Sequence, residues 1–200
     1  MTPGPSTEPT PFDWFQKARS RLWSKKQPNL RAVRPLPLLI GTFFYAGLSP
    51  FASGTVGSLV AAALYYFIPD LQHPLTLLIA CVVVLVAGVW SGGIIERQLN
   101  VQDPGIVVID EVLGQWVAIL CYVLLSVLIG GSEELNTDEI VLAFLFFRIF
   151  DIIKLPPARY FERRHGGLGI MLDDVVAGLY AAITLFILVT ITAFFLALRA

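Results

Sequence analysis

The amino-acid sequence predicts an all-α, multi-pass membrane helical bundle of about five spans, with a partly buried loop before the first. Three observations carry that expectation. Only 14 % of the 200 residues are charged and 56 % are hydrophobic, against about a quarter charged in an ordinary soluble chain. Charge-free runs extend from Leu71 to Ile95, Val112 to Ser132 and Val175 to Leu198, each longer than the ~20 residues a helix needs to cross the hydrocarbon core. Charge is also uneven along the chain. Half of the 14 Lys and Arg residues precede Pro35, whereas the loop from Gly130 to Glu139 holds acids and no base.

The elements follow in order. Residues 1–35 read as a basic extension, largely disordered or interfacial, and residues 36–200 as the membrane domain. Residues 1–10 are rich in Pro, Thr, Ser and Gly and are expected to be disordered. From Phe12 to Lys26, Trp14, Ala18 and Leu22 recur every fourth residue with bases between, which suits a short helix on the cytoplasmic leaflet or a flexible basic tail. Leu36 to Pro69 is uncharged but broken by Pro37, Gly41, Gly47, Pro50, Gly54 and Gly57. Leu36 to Ser53 therefore reads as a partly membrane-buried or re-entrant loop, which must pack on protein or line a wet cavity. Spans are expected from about Gly54 to Pro69, Leu75 to Ile94, Val107 to Ile129, Ile140 to Leu155, and from Asp173 or Asp174 to the C-terminus. Pro156-Pro157 is expected to stop the fourth. Glu96 to Gly105 and Arg159 to Gly169 are expected to be loops.

By the positive-inside rule the N-terminus is cytoplasmic and the acidic loop is outside. Threaded that way, Gly41 to Ser58, Glu96 to Glu111 and Arg148 to Asp174 all emerge on the cytoplasmic side. Cys81 and Cys121 lie in apolar spans and read as small buried residues, not as a disulfide. No cleavable signal is evident. The formal net charge of −1 gives no reason to expect a nucleic-acid partner, and oligomeric state is left open.

The chemistry concentrates at span ends. Asp110-Glu111 enters the third span and Asp173-Asp174 the fifth, each pair followed by Val and, soon after, by Gly114 or Gly178. Adjacent helical positions point ~100° apart, so each pair can turn one carboxylate inward. A single acid there could simply favour the helix dipole. Two matched pairs, with Asp103 and Asp151 near, argue for a shared site. In the fourth span Arg148, Asp151 and Lys154 recur every third residue on one face. Ionisable groups within a span normally face the bundle interior and pair or act. Arg148 and Asp151 could form a structural ion pair, or Arg and Lys beside several carboxylates could bind a phosphate together with Mg²⁺, which takes carboxylate, water and phosphate oxygens. Gly54-Thr55-Val56-Gly57-Ser58 and the stretch His165-Gly166-Gly167-Leu168-Gly169 could present backbone N–H groups to an anion. His165 is a candidate acid for a leaving group.

Taken together, Gly47-Leu48-Ser49-Pro50 with Gly54-Thr55-Val56-Gly57-Ser58-Leu59, then Val108-Ile109-Asp110-Glu111-Val112-Leu113-Gly114-Gln115-Trp116, then Phe147-Arg148-Ile149-Phe150-Asp151-Ile152-Ile153-Lys154, then His165 to Gly178 closely resemble the phosphatidylglycerophosphatase A family. The resemblance spans about Gly41 to Gly178, with the motifs in the family's order. It implies that residues 36–200 form a membrane phosphatase domain that removes the terminal phosphate of phosphatidylglycerophosphate with Mg²⁺. It further implies a phospholipid substrate in the bacterial inner membrane and an active site facing the cytoplasm. On that basis Asp110, Glu111, Asp173 and Asp174 are candidate metal ligands. Those four with Asp151 and His165 are candidate catalytic groups. Arg148, Lys154, Gly54, Thr55, Gly57, Ser58, Gly167 and Gly169 are candidate substrate contacts. The chain departs from the family at Ser53, where Pro is usual, and at Lys154-Leu155-Pro156-Pro157, where Lys-Pro-x-Pro is usual. Both departures touch loop stiffness and leave the ionisable set intact.

Two other readings compete. An ion- or proton-coupled transporter using buried carboxylates would need ionisable groups leading to both faces, and the outer halves of the second, third and fifth spans hold none. A non-catalytic scaffold leaves an excess of acids over intraspan bases unexplained, which a bound cation would repair.

Overall fold

The computed structural model describes residues 30–162 and 164–199, so the expectations for residues 1–10 and for Phe12 to Lys26 lie outside the described residues. The bundle belongs to the compact unit Ala32–Ala200. Its helices are α1 (Pro35–Gly41), α2 (Ser53–Phe67), α3 (Pro74–Leu99), α4 (Ile109–Leu128), α5 (Thr137–Ile153), α6 (Ala158–Glu162) and α7 (Gly167–Ala197). No strand occurs among the described residues. The protein is an all-α membrane bundle, in which α3, α4 and α7 are long and apolar enough to span and α2 is a shorter apolar helix.

Local chemistry sets the helix ends. Pro74 opens α3, where a missing N–H costs nothing, and Asn100 closes it in the left-handed conformation that Asn tolerates better than most residues. A reciprocal capping box starts α5: Asn136 Oδ1 accepts from Glu139 N at 3.0 Å, and Glu139 Oε2 accepts from Asn136 N at 2.9 Å. Lys154 then ends α5 in a left-handed turn, its N–H donating to the Phe150 carbonyl at 2.8 Å.

Helix α4 is the centre of the bundle and packs on α2, α3, α5 and α7. Apolar side chains gain little by leaving lipid for one another, so close approach and hydrogen bonding must hold such helices together. Small residues allow that approach. A Cβ on Gly114 would stand 2.8 Å from the Asp174 carbonyl oxygen, and one on Gly57 would stand 2.9 Å from Val108 Cβ. The Trp116 indole donates to the Ala61 carbonyl at 3.0 Å, tying α4 to α2. Outward faces remain apolar and exposed, as at Leu78, Val82 and Val86 on α3 and Ile187, Ile191 and Phe194 on α7. Patches of that extent suit lipid as the solvent.

Several boundaries differ from expectation. Leu36 to Ser53 is not loop throughout: α1 and a 3-10 turn at Ala46–Leu48 lie within it, satisfying backbone groups locally. Helix α3 runs five residues past Ile94, so Glu96 is helical. Helix α7 begins at Gly167, which puts Asp173 and Asp174 inside the helix, beyond its first turn. Gly167 packs there against the Val89 carbonyl of α3, and this contact extends the helix through a stretch whose glycines read as loop. A short helix, α6, also interrupts the expected Arg159 to Gly169 loop. Cys81 and Cys121 are free.

Candidate active site

Three helices deliver carboxylates to one place. The first turn of α4 carries Asp110 and Glu111, and α7 carries Asp174 where it crosses α4 beside Gly114. One oxygen from each of the three lies within 4.8 Å of the other two. Asp110 and Asp174 are almost wholly enclosed. From α5, Asp151 comes within hydrogen-bonding reach of Asp174. Neighbouring carboxylates repel unless a proton or a cation lies between them.

The two intraspan bases are taken by other acids. Arg148 Nη1 stands 2.7 Å from Asp151 Oδ2 and donates to Ser58 Oγ at 3.2 Å. Lys154 Nζ stands 2.8 Å from Asp173 Oδ2. Asp173 therefore turns to Lys154 instead of joining Asp110, Glu111 and Asp174, as adjacent helical positions ~100° apart require. The N-terminal turn of α2 completes the surround. A Cβ on Gly54 would lie 3.0 Å from Glu111 Cδ and 3.3 Å from Arg148 Nη1, so only glycine lets the α2 backbone cross this pair. Ser58 Oγ donates to the Gly54 carbonyl at 2.9 Å and is fully buried. Thr55 sits half-buried between them, and Gly57 is pressed on Val108. No side chain caps α2, whose N-cap is Ala52, and uncapped N–H groups at a helix start attract anions.

The second glycine stretch is built differently. Glu96, near the end of α3, accepts from Gly166 N at 3.0 Å through Oε2, and its Oε1 lies 3.2 Å from His165 Nδ1. The His165 side chain is 78 % exposed. A Cβ on Gly93 would stand 3.1 Å from Gly167 N, and one on Gly169 would stand 2.9 Å from the Arg164 carbonyl carbon. Gly167 and Gly169 thus serve close packing at the start of α7, and His165 is brought to Glu96.

The sequence profile of the family described as Phosphatidylglycerophosphatase A matches residues 39–189. The chain belongs to the phosphatidylglycerophosphatase A family. Relatives include the Escherichia coli phosphatidylglycerophosphatase A, 34 % identical over 148 residues, 72 % of this chain and 78 % of that protein. The Haemophilus influenzae phosphatidylglycerophosphatase A is 32 % identical over 159 residues, 79 % of this chain and 91 % of that protein. A Bacteroides thetaiotaomicron protein named as a putative phosphatidylinositol-3-phosphatase is 38 % identical over 152 residues, 74 % of this chain and 90 % of that protein. No solved structure matches. As a member of this family the protein is an enzyme, a phosphatase, and its family implies a phospholipid substrate. The transporter alternative finds no support.

The donor set of the cluster suits the Mg²⁺ that the family resemblance implies. Asp110 Oδ1 and Glu111 Oε2 are buried with no hydrogen-bond partner, and hard carboxylate oxygens from two helices are donors of the kind Mg²⁺ takes. Two residues escaped the sequence reading. Glu96 reads as the start of a loop, and nothing in its spacing announces that it holds Gly166 and His165 from 69 residues away. Gln115, one turn beyond Glu111, is fully buried with both amide atoms unpaired. A Gln amid an apolar run is the signal that marks it.

Proposed function

We propose that the protein hydrolyses the terminal phosphomonoester of phosphatidylglycerophosphate to phosphatidylglycerol and inorganic phosphate at the cytoplasmic face of a bacterial inner membrane. The observation that carries this reading is the cluster of Asp110, Glu111 and Asp174 beside the Arg148 guanidinium, set at the ends of apolar helices. Such a site can receive a charged headgroup while the acyl chains stay in lipid. Asp110, Glu111 and Asp174 would hold Mg²⁺, which when bound supplies positive charge to offset the charge of the phosphoryl group.

The chain's own residues account for the rest. Arg148 has a buried, unpartnered Nε and is oriented by Asp151 and Ser58, so its planar fork is presented to phosphoryl oxygens. Lys154, held by Asp173, adds a point charge. The start of α2 offers the N–H groups of Gly54 and Thr55, which have no partner within the helix, and the positive end of its dipole, with Gly57 and Ser58 on the turn that follows. A carboxylate of the cluster orients the attacking water and takes its proton. The water oxygen forms the new P–O bond, the ester P–O bond breaks, and the glycerol oxygen leaves with a proton. His165 or solvent supplies that proton, since His165 is exposed next to the α7 start.

The test is phosphate release by the purified protein from phosphatidylglycerophosphate in micelles, with Mg²⁺ and with chelator, and with phosphatidylinositol 3-phosphate as a parallel substrate. Release from phosphatidylglycerophosphate that stops with chelator and returns with Mg²⁺ is expected. Absence of release from that lipid under every metal condition would reject the reading. Preference for the inositol lipid would redirect the substrate while leaving the reaction class.

A further inference from the structure

Between α1 and α2 the backbone does something unusual. Phe43, Phe44 and Tyr45 have φ of 44°, 55° and 69°, three consecutive side-chain-bearing residues in the left-handed region that L-residues avoid. Such strain persists only where surroundings over-determine it, and here they do. Thr42 is fully buried, and its Oγ1 donates to the Leu38 carbonyl at 2.7 Å while accepting from Tyr45 N at 3.1 Å. Phe44 N donates to the Leu39 carbonyl at 2.8 Å and Gly47 N to the Thr42 carbonyl at 2.9 Å. The turn packs Phe43 against the core and leaves Phe44 and Tyr45 exposed.

This turn forms one wall of a groove of about 460 Å³ whose other wall is Val60 and Leu64 of α2. The lining, Phe43 to Ala46 with Val60 and Leu64, carries no acidic or basic side chain of the Asp, Glu, Lys, Arg or His kind, and its one side-chain polar atom is the Tyr45 hydroxyl. A headgroup or phosphate has nothing to bind there. The groove and the phosphate-facing turn share a helix. Val60 and Leu64 lie six and ten residues beyond Gly54, which at 1.5 Å per residue is roughly 9 and 15 Å. A phospholipid spans that interval between its phosphate and the middle of an acyl chain. Much of the apolar exterior among the described residues consists of helix faces such as Leu78, Val82 and Val86, whereas here a strained turn stands beside α2.

We propose that the groove between Phe43-Phe44-Tyr45 and Val60/Leu64 is the subsite for one acyl chain of the substrate lipid. The proposal rests on the lipid-phosphatase reading and adds to it a determinant of chain recognition. It explains why the turn is worth its strain: a chain seated there fixes how far the headgroup reaches along α2 toward Arg148.

The experiment uses the full-length protein in nanodiscs of phosphatidylcholine. A phosphatidylglycerophosphate with a photoactivatable diazirine midway along one acyl chain is compared with a phosphatidylcholine carrying the same chain. Preferential labelling of residues 43–46 and 60–64 by the phosphate-bearing lipid is expected; equal labelling by both would mean bulk lipid only and would overturn the proposal. In parallel, Leu64→Trp fills the groove and Leu64→Ala widens it. For a long-chain substrate each should raise KM roughly tenfold, the scale on which an apolar pocket senses misfit, with kcat kept. A short-chain phosphatidylglycerophosphate should show no change. Equal loss on long and short chains, in protein with unaltered thermal unfolding, would also overturn it. Selective labelling with no phosphate released from any lipid would instead reject the phosphatase reading and leave the groove standing.

Discussion

The two ends of α4 solve the problem of polar groups in an apolar bundle in opposite ways. Toward its C-terminal end, the Tyr122 hydroxyl donates to Glu139 Oε1, while the other oxygen of Glu139 closes the α5 capping box. Each oxygen of that acid has a partner. At the N-terminal end, Asp110 Oδ1 and Glu111 Oε2 are buried without one, as are Asp173 Oδ1 and Arg148 Nε nearby. A fully satisfied network stabilises a fold, and a half-satisfied one destabilises it unless something else completes it. The contrast separates a structural acid from acids kept for a ligand, within one helix and its neighbours.

The contrast is most exposed to Asp110→Asn and Asp174→Asn. Each is expected to lower phosphate release on the order of 10²–10³-fold, the scale of losing one charge-stabilising group in an active site. Thermal unfolding should stay level or rise, because each removes a repelling charge from the cluster. A folded Asp174→Asn protein with full activity would remove that residue from the site. Arg148→Lys comes next. Lysine keeps the charge but loses the fork, so a drop of roughly 10²-fold in kcat is expected with the fold retained, about the effect of losing one positioned donor. If Arg148 only holds Asp151, then Arg148→Ala should destabilise, and the double change of Arg148 and Asp151 to apolar residues should restore stability. Rates and unfolding measured on the same variants distinguish the two outcomes.

Much of this was legible beforehand because hydrophobic runs and acid pairs are local signals. The runs beginning at Leu71, Val112 and Val175 became α3, α4 and α7, and the matched pairs at 110–111 and 173–174 did converge through Asp174. What was not legible depends on long-range packing. Nothing local says that Gly167 will rest on the Val89 carbonyl and extend α7 by two turns, or that Glu96 will accept from Gly166. The division of labour within Asp173-Asp174 also depends on where Lys154 lands, and its left-handed turn at the end of α5 sets that. Pro156-Pro157 suggested a later stop for α5, but the chain turns before reaching them.

Packing at the crossing of α4 and α7 is expected to show an intermediate effect. Gly114→Val places its branch against the Phe147 ring and the Asp174 carbonyl, and should destabilise by about 1–3 kcal/mol, as overpacking usually does. Because the same carbonyl belongs to a site residue, activity should fall further than stability does. The measurement is thermal unfolding beside rate at a temperature where the variant is folded. Activity that falls only in proportion to unfolded fraction would show that the crossing is purely structural.

The smallest effect belongs to the satisfied end. Asn136→Ala removes the side chain that accepts from Glu139 N, and loss of such a cap costs about 1 kcal/mol. Tyr122→Phe deletes one hydrogen bond to a charged acceptor, so a loss of roughly 1–2 kcal/mol is expected, less if Glu139 finds water at its exposed side. Neither residue touches the carboxylate cluster, so kcat and KM should match the parent protein at temperatures below unfolding. If Tyr122→Phe instead lowered kcat in folded protein, the two ends of α4 would be energetically coupled, and the unpaired atoms at Asp110 and Glu111 would owe part of their arrangement to a contact at the far end of the helix. A double change of Tyr122→Phe with Asp110→Asn measures that directly. Additive effects on rate and stability mean independent ends, as expected for sites this far apart along one helix.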